Sequence, residues 1–143
     1  MDRISIILPA KNEAAGLQRT LPALKALYPE AEIIVVDDGS TDDTADVARS
    51  HGAIALSSPY SMGNGAAIKR GARAASGDIL VFMDADGQHN ADYILPLLQK
   101  LAEGYDMVVG ARDGNGQANL HRGLANAFYN RLASHMTGHP IAD

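Results

Sequence analysis

Two acidic residues one position apart, Asp84 and Asp86, close an apolar run from Ile79 to Met83 and lead into Gly87 and Gln88. In extended backbone, positions i and i+2 face the same way, so the two carboxylates can share one ligand, and Gly87 lets the chain turn sharply after them. Oxygen ligands of this kind suit Mg²⁺ or Mn²⁺, which keep coordination positions for water and for phosphate oxygens. For an isolated Asp-x-Asp, a polar turn after a strand is the plainer explanation. Here the same pattern recurs at other strand ends, which favours metal binding. The expectation is that carboxylates from neighbouring strand tips converge on one cation that grips a pyrophosphate.

Asp37, Asp38, Gly39, Ser40 and Thr41 follow IIVV in the same manner. Gly39 supplies a turn, and Ser40 with Asp43 reads as a capping box for the next helix. Adjacent carboxylates repel unless something hydrogen-bonds or neutralises them. Asp37 and Asp38 therefore call for a partner, and a base edge or ribose hydroxyl would supply one. Pro9, Ala10, Lys11, Asn12 and Glu13 leave the first apolar run through a proline, and Glu13 serves either a ligand or the first turn of a helix. Met62, Gly63, Asn64 and Gly65 precede a helix but lack the Gly-Lys-Ser/Thr ending of a P-loop, so they read as a flexible turn near a donor. Arg112 follows VVGA and Arg122 opens a later helical stretch; each is either a solvated charge or a guanidinium matched to phosphate oxygens. His135 and His139 stand four apart, but Gly138 and Pro140 spoil the helix a zinc site would need. His89 is a surface histidine or a donor-loop residue.

These residues need elements to hold them. Apolar runs at 4–8, 32–36, 53–56, 78–83 and 106–110 read mostly as strands buried on both faces. Between them, Leu17, Leu21, Leu24 and Leu27 follow helical spacing, with Pro22 as a kink or late start. Ala45, Val47 and Ala48 mark a weaker helix, 66–75 is rich in small residues, and Ile94, Leu97, Leu98 and Leu101 form another stripe. A last helix is expected over 120–137. Alternating strand and helix predicts a doubly wound α/β sheet, whose ligands bind beyond the carboxyl ends of the strands. The polar motifs fall at those ends.

The 143 residues suit a single domain. A net charge of −5 argues against broad nucleic-acid binding, and the Lys and Arg residues are dispersed until Lys69, Arg70 and Arg73. With no cysteine there is neither a disulfide framework nor a thiolate nucleophile. No apolar run is long enough for a signal-peptide core or a membrane span.

Taken together, ILPAKNE, VVDDGSTDDT, GNGAAIKRG, GDILVFMDADGQH and DMVVGAR resemble glycosyltransferase family 2, most closely its polyprenyl- or dolichyl-phosphate sugar synthases. The resemblance implies a GT-A fold, a Rossmann-like and mostly parallel sheet flanked by helices. It also implies inverting transfer from a GDP- or UDP-sugar, with Mg²⁺ or Mn²⁺, to an acceptor such as a polyprenyl phosphate. It assigns the donor to Pro9, Asn12, Glu13, Asp37, Asp38, Gly65, Asp84, Ala85 and Asp86. The metal falls to Asp84, Asp86 and Gln88, and catalysis to Asp86, Arg112 and Arg122. A cytoplasmic protein at the inner face of the membrane, with a peripheral membrane contact and a homodimer, is compatible with it. Lys11 stands where an aromatic residue is common, and Asn64 where lysine is frequent. Family members continue from the position of Asp143 into an acceptor-side segment, so the sequence reads as the donor-binding part of the domain. A non-catalytic sugar-nucleotide-binding module and a sugar nucleotidyltransferase are the alternatives; the latter usually carries a Gly-rich, Arg-containing loop where PAKNE stands.

Overall fold

The computed structural model describes residues 2–88 and 90–110. The chain divides into two compact units, Met1–Pro96 and Leu97–Asp143. In the first, β1 (Ile4–Ala10), β2 (Glu32–Asp37), β3 (Ile54–Ser57) and β4 (Ile79–Phe82) form one parallel sheet in the order β3-β2-β1-β4. Ile7 aligns with Ile34 of β2 and with Phe82 of β4, and Ala10 aligns with Asp37. The connections are α1 (Ala14–Leu27), α2 (Thr44–Ser50) and α3 (Asn64–Ala74). A 3-10 turn, Ala91–Tyr93, leads into α4 (Ile94–Leu101), which runs on into the second unit.

The central strands are continuously apolar because both their faces are covered. Ile7, Ile34 and Val36 pack with Ala67 of α3, and Leu56 and Ala75 close the edge of that cluster. By strand alternation Ile6, Leu8, Ile33 and Val35 face the other way; all four are buried. α1 contributes Leu17, Leu21 and Leu24, each fully buried, which is worth about 1.5–3 kcal/mol per side chain. The path steps from β1 to β2 to β3 and then returns past β1 to β4. Crossovers of one hand then put α1 and α2 together on one face and α3 on the other. The reversal between β2 and β4 makes the carboxyl end of β1 a topological switch point.

Several expectations need correction. β3 and β4 are edge strands of the described sheet and are not buried on both faces: Ile54, Leu80 and Phe82 are exposed. No strand forms over 106–110, where Met107 and Val109 are 77% and 75% exposed; an apolar run becomes a strand only by pairing with a neighbour. Leu27 ends the α1 stripe in solvent. Pro22 does not delay α1, which begins at Ala14. The carbonyl deprived of its helical partner is that of exposed Gln18, where water can replace the missing N–H. The helix expected over 120–137 lies outside the described residues.

Candidate functional site

Three polar segments leave the same edge of the sheet. Lys11–Glu13 follows β1, Asp38–Asp43 follows β2, and Met83–Gln88 follows β4, with the Met83 amide still donating to the Ile7 carbonyl at 3.1 Å. The first two are laced together. The Asp38 amide donates to the Ala10 carbonyl at 2.9 Å, and the Asn12 amide donates to Ser40 Oγ at 2.9 Å. Asn12 Oδ1 in turn accepts from the Thr41 amide at 2.8 Å and from Thr41 Oγ1 at 3.2 Å. Asn12 makes this bracket from a left-handed backbone, φ 55°, a conformation asparagine tolerates better than most residues. The half-buried Glu13 caps nothing with its side chain; its amide donates to Thr44 Oγ1 at 3.0 Å.

The acidic pair after β2 has protein partners of its own. Asp37 Oδ1 accepts from the Ser40 amide at 2.9 Å. Asp38, 6% exposed, accepts from the Met62 amide on Oδ1 at 2.7 Å, and on Oδ2 from Ser61 Oγ at 2.7 Å and the Gly63 amide at 3.0 Å. The Met62 amide and the Ser61 hydroxyl, with lesser help from Gly63 and the Lys11 charge, outweigh burial and hold the Asp38 carboxyl below its ordinary range. Asp38 therefore needs no ligand to offset repulsion from Asp37; it fastens the 61–63 loop to the sheet. The two loops touch closely enough that a Cβ on Gly39, at φ 70°, would lie 2.6 Å from the Tyr60 carbonyl carbon.

The capping box is also corrected. Asp43 occupies the N-cap position of α2 without a side-chain bond, and Ser40 serves Asn12 instead. Asp42 does the work: it accepts from the Thr44 hydroxyl, from the Thr44 amide at 3.0 Å and from the Ala14 amide at 3.2 Å. The Thr44 hydroxyl is the largest cause of its lowered pKa. α3 begins at Asn64, so Asn64 and Gly65 lie in its first turn rather than before it.

Pro9, Lys11, Asp38, Ser61, Gly63 and Asn64 line a cleft of about 290 Å³ at the switch point. Asp84, Asp86 and Gln88 lie outside that lining, on the turn after β4. There Asp86 Oδ1 accepts from the Gln88 amide at 2.8 Å, and Gly87 takes φ 77°. Ala85 is buried because the turn lies on α1. A Cβ on Gly16 would come within 2.3 Å of the Ala85 carbonyl oxygen, and Arg19 Nη2 donates to the Asp86 carbonyl at 3.4 Å. Two carboxylates of this spacing fit Mg²⁺ or Mn²⁺, which use one or two protein carboxylates and take the rest from water and phosphate. The wider convergence is not found: among the described residues no three His, Cys, Asp or Glu side chains gather as a metal site. Asp37 and Asp84 stand two strands apart, on the order of 10 Å, and Asp38 is committed to the 61–63 loop.

Sequence reasoning missed Gly16, Arg19 and Ser61. Gly16 and Arg19 sit on α1 and Ser61 in a loop, with no local pattern to mark them. Arg112, Arg122, His89, His135 and His139 lie outside the described residues. So does Asp143.

Comparison with known proteins gives this site its context. The undecaprenyl-phosphate 4-deoxy-4-formamido-L-arabinose transferase of Photorhabdus laumondii is 34% identical over 152 residues, covering 99% of this chain and 46% of that protein. The enzyme of the same name from Serratia proteamaculans is 36% identical over 151 residues, with the same coverage. The chain thus spans about half the length of the curated relatives it matches. Among solved structures, glucosyl-3-phosphoglycerate synthase of Mycobacterium tuberculosis superposes with a TM-score of 0.72 at 32% identity, over 92% of this chain and 52% of that one. Its complex with Mn²⁺, UDP and glucosyl-3-phosphoglycerate gives 0.69 at 31%, again over 92% and 52%. The parallel sheet flanked by helices is the GT-A arrangement that the sequence motifs imply. The profile described as "Glycosyl transferase family 2" matches residues 5–143, and the chain belongs to that family.

Proposed function

We propose that the chain binds a nucleotide-sugar donor, a UDP- or GDP-sugar, at the carboxyl edge of its sheet, as the donor-binding part of an inverting glycosyltransferase acting on a polyprenyl phosphate. The observation that carries this reading is the cleft at the β1 switch point, walled by Pro9, Lys11 and the Asp38-anchored loop. The solved relative that holds UDP and Mn²⁺ supports the donor class, and the undecaprenyl-phosphate transferases support the acceptor.

In this reading Asp84 and Asp86, with Gln88 at the end of the turn, would hold Mg²⁺ or Mn²⁺. When bound, the cation supplies charge neutralisation on the departing nucleoside diphosphate. Asp38 keeps the 61–63 loop against the cleft, Asn12 braces the β1 and β2 loops, and Lys11 places a positive charge on the wall. Arg112 and Arg122 are assigned to the phosphates. A lipid phosphate oxygen attacks the anomeric carbon as the bond to the diphosphate oxygen breaks. Such a nucleophile is already anionic and needs no strong general base. No helix among the described residues is long and apolar enough to cross a membrane. We assign the protein a peripheral place at the cytoplasmic face, where its acceptor is anchored, and a homodimeric state that sedimentation would read.

Calorimetry with UDP- and GDP-sugars, with and without Mn²⁺, tests the donor site, and a turnover assay with polyprenyl phosphate tests transfer. Asp86→Ala is expected to abolish Mn²⁺-dependent affinity in a folded protein; unchanged affinity removes the metal assignment. Binding without turnover favours a non-catalytic module.

A further inference from the structure

A second cleft, of about 240 Å³, is lined by Asp38, Ser58, Met62, Lys69, Arg70 and Arg73. Lys69, Arg70 and Arg73 are the one place where the basic residues of a chain of net charge −5 crowd together. Their spacing along α3, i, i+1 and i+4, keeps them on one side of the helix. The only carboxylate in the lining, Asp38, already accepts three hydrogen bonds from Ser61, Met62 and Gly63. Its charge is thus largely answered before it meets the cations.

Arg70 is held in place. Its Nη1 donates to the Ser57 carbonyl at 2.9 Å and to Ser58 Oγ at 2.8 Å, fixing the guanidinium over the end of β3. That leaves the Nη2–Nε edge, the side of the fork that matches a tetrahedral oxyanion in bidentate fashion. Lys69 and Arg73 form no ion pair among the described residues. α3 (NGAAIKRGARA) contains no acid that could pair with them at i±3 or i±4.

We propose that this cleft is a phosphate-binding site separate from the donor site, in which pre-set Arg70 grips a phosphate group bidentately and Lys69 and Arg73 neutralise its charge. It requires neither metal nor nucleotide.

The test is calorimetry of the whole chain with inorganic phosphate in metal-free, low-salt buffer, for wild type and for Lys69→Gln/Arg73→Gln. Wild type is expected to bind, more weakly as salt rises, and the double variant to lose roughly tenfold or more in affinity. Its Mn²⁺-dependent UDP affinity should be unchanged, which separates this site from the donor reading. Should the pair lower stability, Arg73→Gln alone repeats the comparison. Cosedimentation with phosphatidylglycerol vesicles identifies the source of the phosphate. Retention that both the variant and added phosphate abolish means a lipid headgroup, whereas phosphate binding without retention means a soluble ligand. No phosphate binding by wild type, or equal binding by the variant, overturns the proposal.

Discussion

Asp38 spends both carboxylate oxygens on three donors of one loop, and its depressed pKa is the electrostatic expression of that bond set. The sign of the pH dependence follows. A carboxyl whose folded pKa lies below its unfolded value contributes stability that is complete above the unfolded value, about 4, and is lost as pH falls through the folded one. Urea unfolding of wild type is therefore expected to show a midpoint that drops below about pH 4, and Asp38→Asn should flatten that drop. The substitution should also cost about 1–3 kcal/mol near neutrality, because the amide's NH₂ faces donors that previously met an oxygen. An unaltered pH slope in Asp38→Asn would assign the acid loss to other groups, Asp42 first, since its pKa is lowered by the same kind of bond set.

At the scale of elements, the Asp84–Gln88 turn takes its position from α1 as much as from β4. Gly16 lets the helix backbone approach the turn so closely that a Cβ would sit 2.3 Å from the Ala85 carbonyl oxygen, a contact backbone cannot yield cheaply. Gly16→Ala gains about 1 kcal/mol of helix propensity, against about 1–3 kcal/mol of overpacking in a buried contact. The overpacking term wins. Expected is a folded protein, modestly less stable by thermal melting, whose Mn²⁺-dependent nucleotide affinity falls because the carboxylates have shifted. Retained affinity with the same melting temperature would mean that the turn is set by β4 alone.

Over the molecule, the sheet separates its two jobs by end. At the amino edge, Glu32 ties β2 to the β4 entry, accepting from Ser5 Oγ, from the Ser76 amide at 2.9 Å and from Ser76 Oγ at 3.0 Å. Burial alone would raise its pKa, but the Ser5 and Ser76 bonds and the Arg3 charge outweigh it and leave it lowered. Glu32→Gln is accordingly expected to cost about 1–2 kcal/mol in urea unfolding while leaving nucleotide affinity untouched, since the donor cleft lies at the opposite edge. Lost affinity in that variant would show that the ends are coupled. The sequence by itself determined the alternating order of strands and helices through 4–101. It also determined which residues stand at the carboxyl ends and, through five motifs in sequence, the family, because continuous apolar runs and turn chemistry are local properties. Only the tertiary structure decided that Asp38 braces a loop, that Ser40 serves Asn12 rather than α2, and that Gly16 seats the acidic turn. It alone decided which strands are sheet edges, and it set the basic side of α3 beside a cleft. Each of these is a contact between residues far apart along the chain, and side-chain type and spacing carry no record of which distant donor a carboxylate meets until the chain is packed.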